Sequence, residues 1–443
     1  MRIVTSQLLQ ICLTLSLAIG FEAHAQELSR IQKKIDSLHT EIEEIRGLEF
    51  KQQVNVTNQS PEDFGKYLDK MLEMQIPDRL EKNYGKIVKK LGLYLGPEIE
   101  NFKQMAKMIM QSQAAAYYDP ASEAFYVVME DLPEQMLDAV YVHELYHGLQ
   151  DQHYDLETYV LAKFENGLND DQLLARQAVV EGEATYIMTL WSMKNMMGQI
   201  PGTSMLEVVI KMQAQLDVLR ILEMLKSGPI SQANTTSMKQ AIAAMDSIPP
   251  FLLETLVGAY LKGMAFVFEI QKQSWNKVGD LYAQPPISTE QILHPQKWLS
   301  KEEPVKLSWP NFAKEGMFSD WKLLEENTIG EIQWQIIFAE HEMAEQGRKA
   351  AAGWNGDIFA VLENKGDGDL LLLIYSSWDS ETDATEFHSA YQELLEVKYA
   401  AHEENVIIER RNNDVLIIEG GEKDQIDPLF SFMMKARKES AKE

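Results

Sequence analysis

The stretch VHELYHGLQDQH, Val142 to His153, puts three histidines and a glutamate in one short run of helix-forming residues. Within it, His143, Glu144 and His147 form H-E-x-x-H. On a helix, residues four apart share a face, so both imidazoles reach one ion. Glu144, one position on, aims beside that ion at a bound water. The motif therefore demands a helix here and a third ligand from elsewhere in the chain. Imidazole and carboxylate suit zinc, and three protein ligands leave a fourth position for water, whose pKa falls towards about 7. The bland alternative is a pair of surface histidines on an acidic helix.

Two places can supply the third ligand. His153 sits at the spacing of H-E-x-x-H-x-x-G-x-x-H, a pattern whose glycine lets the chain leave the helix and turn the last histidine back. Gln150 occupies that position here. If the helix continues, His153 lies about 9 Å farther along the axis than His147 and points about 120° away, so it cannot share the ion. The rival is a carboxylate from the helical segment QLLARQAVVEGEATYIMTLWSMKNMM. Glu181 and Glu183 lie two residues apart and face roughly opposite sides, so only one of them can bind. Glu181 is the favoured ligand. Ala178, Gly182 and Ala184 beside it would let the two helices approach closely, although plain tight packing explains them equally well.

HELYHGLQDQHYDL followed by VVEGEAT resembles a group of bacterial and archaeal zinc metallopeptidases of gluzincin type. Their motif runs close to HEL-x-HALQDQ-x-DL, then LVEGDA or LVEGEA. PPISTEQILHPQKW, Pro285 to Trp298, and AAAGWNGD, Ala350 to Asp357, also look like segments of that group, so the resemblance extends from about Ala115 to beyond Trp378. It implies His143, His147 and Glu181 as zinc ligands and Glu144 as general base. One departure stands out: many gluzincins carry an acid four residues after the ligand glutamate to orient a histidine, and Thr185 takes that place here. Asp151, four residues past His147, is a candidate to orient that imidazole.

Peptide hydrolysis also needs a donor for the developing oxyanion. His294, in ILHPQ beside a proline-fixed turn, is the first candidate, with Tyr260 and Tyr282 as alternatives; a histidine in such a place is otherwise a structural hydrogen-bonder. The strand AFYVVME could offer its edge to an extended peptide.

The rest of the chain sets the frame. Its 443 residues suffice for two or three domains, and a formal net charge of -27 argues against nucleic acid or an anionic membrane surface as main partner. Met1-Arg2, an apolar run and Ala23-His24-Ala25 read as a secretory signal over residues 1–25, cleaved before Gln26. No second stretch reads as long and apolar enough to span a bilayer. Cys12 is the only cysteine and lies in the signal, so the exported chain would lean on its core rather than on disulfides. Leu28, Ile31, Ile35, Leu38, Ile42, Ile45 and Leu48 recur at steps of three and four, an amphipathic helix within residues 26–50 that docks on its own domain.

The fold class expected is α+β. A mainly helical, zincin-like domain covers residues 51–300, with a hairpin in AAAYYDPASEAFYVVME before the histidine helix. A linker follows at 301–329, then a smaller α+β domain at 330–443, of split β-α-β or ferredoxin-like type. Its expected strands are EIQWQIIF, DIFAVLE, LLLLIYSSW, VIIERR and VLIIEG, with helices at 341–351, 380–401 and 426–438. The function expected is that of an exported metallopeptidase, periplasmic or secreted, holding Zn2+ and acting on peptides or proteins. It would carry no membrane span in the mature chain and have no nucleic-acid partner. The alternatives are a non-catalytic envelope binding protein with a structural metal on the same scaffold, and a zinc hydrolase acting on a non-peptide bond.

Overall fold

A computed structural model describes residues 21–76, 78–97, 99–113, 116–128, 134–161, 167–216, 248–400 and 404–439. Residues 1–20 of the expected signal, with Cys12, lie outside the described residues, as does Asp131-Leu132-Pro133, which by its residue types is a good helix start. The chain begins with α1 (Phe21–Arg46), whose apolar stripe Ile31, Ile35, Leu38, Ile42 and Ile45 is buried. As expected, it docks on its own domain, against the helices Glu134–Tyr154 and Asp170–Met197.

After β1 (Asn55–Asn58) come α2 (Pro61–Gln75), α3 (Asp78–Leu91) and α4 (Phe102–Gln113). The expected hairpin forms as β2 (Ala116–Asp119) and β3 (Ala124–Val127), antiparallel, with Tyr118 opposite Phe125. Its setting differs from expectation. β1 pairs parallel to β3, so the order is β1-β3-β2 and β3 lies in the middle. The strand in AFYVVME therefore has no free edge to offer; that position falls to β2, which lies against the histidine helix α5 (Glu134–Tyr154).

The glutamate helix α6 (Asp170–Met197) is buried on nearly every side over its first five turns. Asn169 caps it in a reciprocal box with Gln172, and Gly198 ends it in the left-handed conformation at φ 77°. Then follow α7 (Thr203–Ala214) and α8 (Pro250–Gln271). With a mean hydropathy of 1.5, α8 is long and apolar enough to cross a membrane, which corrects the expectation that no second stretch would be. Within this molecule 67% of its apolar window is buried, and it packs along α6.

That packing is closer than ordinary helix contact. A methyl group on Gly182 would stand 2.2 Å from the Gly263 carbonyl carbon, and one on Gly263 would stand 2.0 Å from the Ala178 carbonyl oxygen. Ala178 and Gly182, beside Glu181, thus serve an approach to α8, where the sequence suggested one to α5. Gly263→Ala is expected to force two backbones apart at a cost of about 1–3 kcal/mol or more. A lowered denaturation midpoint measures this, and because Glu181 rides on α6, metal affinity should fall with it.

The short helices α9 (Trp275–Ala283), α10 (Thr289–Leu293) and α11 (Pro295–Ser300) lead to β4 (Lys306–Ser308) and β5 (Trp321–Asn327). Residues 301–329, expected to be a linker, therefore hold an edge strand of the C-terminal sheet. They also hold the aromatic residues Trp309, Phe312 and Phe318 that cover one of its faces. That sheet has order β5-β6-β7-β9-β8, from β6 (Trp354–Asn364), β7 (Leu370–Trp378), β8 (Val406–Arg411) and β9 (Asp414–Glu419), every neighbour antiparallel. β7, α14 (Glu381–Lys398) and β8 make one split β-α-β unit with β9 between the strands. The remainder is a meander, so the second split unit of a ferredoxin-like sheet is not formed.

Alternation along the strands gives the sheet two dry faces. Phe359, Val361, Leu372, Ile374, Val415 and Ile417 join the core of the helical body, whereas Ala360, Leu362, Leu371, Leu373, Leu416 and Ile418 face α15 (Ile426–Met433) and the 309–318 aromatics. The last element, β10 (Arg437–Glu439), pairs with β4, so the helix expected to reach residue 438 stops five residues short.

EIQWQIIF is helical, not a strand: it forms α12 (Gly330–Glu340), followed by α13 (Ala344–Ala351). A short apolar β-branched run reads either way, and a tertiary contact decides it. The Asp357 carboxylate on β6 accepts from the backbone N–H of Ile329 at 2.7 Å and Gly330 at 3.0 Å, capping the helix from a distant strand. The class is α+β, as expected.

Candidate metal centre

α5 runs unbroken from Glu134 to Tyr154, so His143 and His147 lie one turn apart on one face. α6 crosses this face and brings Glu181 to it. His143 Nε2 and His147 Nε2 stand 3.2 Å apart, and Glu181 Oε2 lies 3.2 Å from the first and 3.5 Å from the second. All three side chains are buried. Three acceptor atoms this close repel unless a proton or a metal cation sits among them.

Their geometry tests what that charge could be. Two donors held tetrahedrally about 2.0–2.1 Å from zinc stand about 3.3–3.4 Å apart. The three observed separations, 3.2, 3.2 and 3.5 Å, bracket that value. Glu181 Oε1, buried and without a hydrogen-bond partner among the described residues, adds a further oxygen to the set. Two imidazoles and one carboxylate are also the donor set that zinc favours. The residues present fit the ion.

Glu144 belongs to the same group, its carboxylate lying within 4.8 Å of the two imidazole donor atoms. Its Oε2 accepts from the Tyr118 N–H on β2 at 3.2 Å. Tyr118 fastens β2 to α5 a second time, its phenol donating to Asp151 Oδ2 at 2.9 Å. Asp151 therefore does not orient His147, as its spacing had suggested. Its other oxygen accepts from the Leu156 N–H.

Charge within the cluster is finely set. Burial pushes the Glu144 carboxyl up to about 8, with His147 pulling the other way. Burial depresses His143. Burial would depress His147 too, but Glu181 and Glu144 outweigh it and raise that imidazole to about 9. Glu181 is held down by His147 and His143 against the effect of burial. Before an ion binds, the pattern pairs an anionic Glu181 with a protonated His147, whose proton a bound cation would displace.

Glu183, the rival ligand, faces away as its two-residue offset requires. Its Oε1 accepts from Arg46 Nε at 2.8 Å, and its Oε2 accepts from the Tyr282 hydroxyl at 2.6 Å. His153 is structural: its Nε2 lies 2.8 Å from the Glu49 carbonyl. Thr185 is buried, and its hydroxyl has no partner among the described residues, so it orients neither imidazole.

His294 is a correction. Its Nε2 lies 3.0 and 3.1 Å from the two oxygens of buried Glu331 at the start of α12, so its hydrogen bonds go to the junction with the C-terminal sheet rather than to the cluster. Of the three donor candidates, Tyr282 is taken up by Glu183 and Gln150, and Tyr260 alone lies against a ligand. The Tyr260 ring stacks on His143 with centroids 5.6 Å apart and planes 21° from parallel. The Gly263 contact is what carries Tyr260 there, three residues earlier on α8.

Sequence reasoning passed over Gln150, Arg46 and the β1 pairing. Gln150 Oε1 lies 2.8 Å from His147 Nδ1. A signal for Arg46 existed: it is an arginine four residues after Ile42, on the buried stripe of α1, where a charge demands a partner.

Residues 322–429, from β5 into α15, match a family model described as a domain of unknown function (DUF8575). No curated protein and no solved structure matches the chain.

Proposed function

We propose that this chain is a zinc-dependent metallopeptidase of gluzincin type, exported through its N-terminal signal and acting on peptides or proteins. The observation that carries the reading is the convergence of His143, His147 and Glu181 at separations that suit tetrahedral zinc, with Glu144 beside them. A purely structural site has no use for that fourth, protonatable group, which favours catalysis over the binding-protein alternative.

Bound there, zinc would supply a polarised water and a positive charge facing a substrate carbonyl. Glu144, with Oε2 held by Tyr118, would take the proton of that water and hand it to the leaving amine. Burial raises its carboxyl to about 8 before an ion binds, and a cation bound beside it would lower that value towards neutral pH, where the group can both take and give the proton. Tyr260, whose ring stacks on His143, would be the donor to the oxyanion. β2, which reaches Glu144 through Tyr118, is the sheet edge nearest the reacting groups and the place for an extended substrate to add.

The test is metal analysis of the purified protein together with digestion of a mixed peptide library. Roughly one zinc per chain is expected, with cleavage that a chelator stops and added zinc restores. Stoichiometric zinc without cleavage of any peptide would transfer the weight to the binding-protein reading.

A further inference from the structure

We propose that Gln150 is a positioning residue for the metal centre. It locks His147 in the Nδ1–H tautomer, and its own amide is oriented by a buried hydrogen-bond chain ending at Arg46 on the N-terminal helix. The inference rests on the metal reading above and extends it to residues that touch no ion.

The argument starts from what a primary amide can do. Its nitrogen only donates and its oxygen only accepts, and which is which follows from the partners. One end of Gln150 faces the Val180 carbonyl at 3.0 Å, Glu183 Oε2 at 3.3 Å and the Tyr282 hydroxyl at 2.6 Å. The first two accept only. Turning the amide over would set its oxygen against a carbonyl and a carboxylate in a site where Gln150 is wholly buried. The nitrogen must therefore face them, and the oxygen must face His147 Nδ1 at 2.8 Å. An oxygen there obliges Nδ1 to carry the hydrogen. Nε2 is then left with its lone pair, pointing at His143 Nε2 and Glu181 Oε2.

What keeps Glu183 an acceptor is Arg46. The Arg46 guanidinium donates to Glu183 Oε1 at 2.8 Å and to the Tyr146 hydroxyl at 3.0 Å, and it lies 4.7 Å over the Trp275 ring. Tyr282, which accepts from Gln150 and donates to Glu183, is held flat against Tyr154 with centroids 3.8 Å apart and planes 4° from parallel. Each link thus has one polarity: Arg46 to Glu183, Tyr282 to Glu183, Gln150 to Tyr282, His147 to Gln150. The arrangement also explains why two glutamates stand two residues apart on α6. Arg46 holds Glu183, and Glu181 is left for the ion.

The experiment measures zinc dissociation constants by competition with a chromophoric chelator, on wild type, Gln150→Met, Tyr282→Phe and His153→Ala. Alongside it, nitrogen-15 NMR of histidine-labelled, zinc-free protein, taken at a pH above about 9 where the His147 ring is neutral, reports its tautomer. Gln150→Met is expected to weaken zinc binding about 10–100-fold. It should also turn the Nδ1–H signature of His147 into a tautomer mixture. Tyr282→Phe should weaken binding severalfold, and His153→Ala should leave it unchanged. Thermal unfolding in chelator checks the fold; should Gln150→Met not fold, Tyr282→Phe, which loses a single oxygen, carries the test. Wild-type zinc affinity and an unchanged tautomer in both folded variants overturn the relay alone. Wild-type protein that takes up no zinc overturns the metal reading and the relay with it.

Discussion

Glu144→Gln is expected to retain zinc at wild-type stoichiometry and to lose peptide hydrolysis by about 10²–10⁴-fold, the usual contribution of a positioned general base. The amide fits the same space, and its oxygen still accepts from the Tyr118 N–H. It cannot take a proton from water at neutral pH. The control is Glu181→Ala. Structural zinc sites bind with about 10–16 kcal/mol over four ligands, so one ligand is worth about 3 kcal/mol and its loss about 10²-fold or more in affinity. The apo form of Glu181→Ala should be less stable than wild-type apo protein, because the buried His143 and His147 imidazoles lose the carboxylate oxygen 3.2 and 3.5 Å away, so zinc is measured under conditions where the variant is folded. Activity and zinc thus fall together in Glu181→Ala and come apart in Glu144→Gln. Peptidase measurements paired with metal analysis read both. Undiminished hydrolysis by Glu144→Gln would take the base from Glu144.

The two variants separate what the sequence could state from what it could not. H-E-x-x-H fixes a helix face through its own spacing, so His143, Glu144 and His147 were legible without any neighbour. The offset of Glu181 from Glu183 was legible too, since residues two apart on a helix cannot both point at one ion. Which of the two faces α5 depends on how α6 is rotated, and that rotation is set by the Gly182–Gly263 contact with α8, some eighty residues downstream. The small residues were seen, but the helix they touch was not.

His294 failed for a related reason. A histidine next to a proline-fixed turn carries no information about its partner, and here the partner is Glu331, in a stretch read as a strand. EIQWQIIF was misread because its cap is Asp357, twenty-seven residues beyond Gly330. Asp357 sits in GWNGD, one of the blocks behind the family resemblance. In the folded chain its carboxylate accepts from the indoles of Trp334 and Trp354 besides the two backbone N–H groups. That block is thereby accounted for by architecture. The α+β class and the split β-α-β unit were legible because strand alternation and hairpin turns are local signals. The edge strand β5 was not, because prolines and lysines before it resemble a linker in composition.

Arg46→Met is expected to destabilise the fold by about 3–5 kcal/mol, the cost of leaving one partner of a buried ion pair charged and alone. The Arg46 side chain is 5% exposed and that of Glu183 wholly buried, so water cannot take over the role of the guanidinium. The two residues lie 137 positions apart in sequence, joining the end of α1 to the middle of α6, and chemical denaturation should therefore show the loss in the helical body. Coulombic attraction alone does not make such a pair stabilising, since both ions are desolvated on burial. The informative comparison is consequently the double variant Arg46→Met with Glu183→Gln. With both charges gone, the amide can still accept from Tyr282, and most of the lost stability should return. If Arg46→Met costs under about 1 kcal/mol, the pair is no stronger than an exposed salt bridge. If the double variant is as unstable as the single one, the arginine acts through its packing on Trp275 and not through its charge.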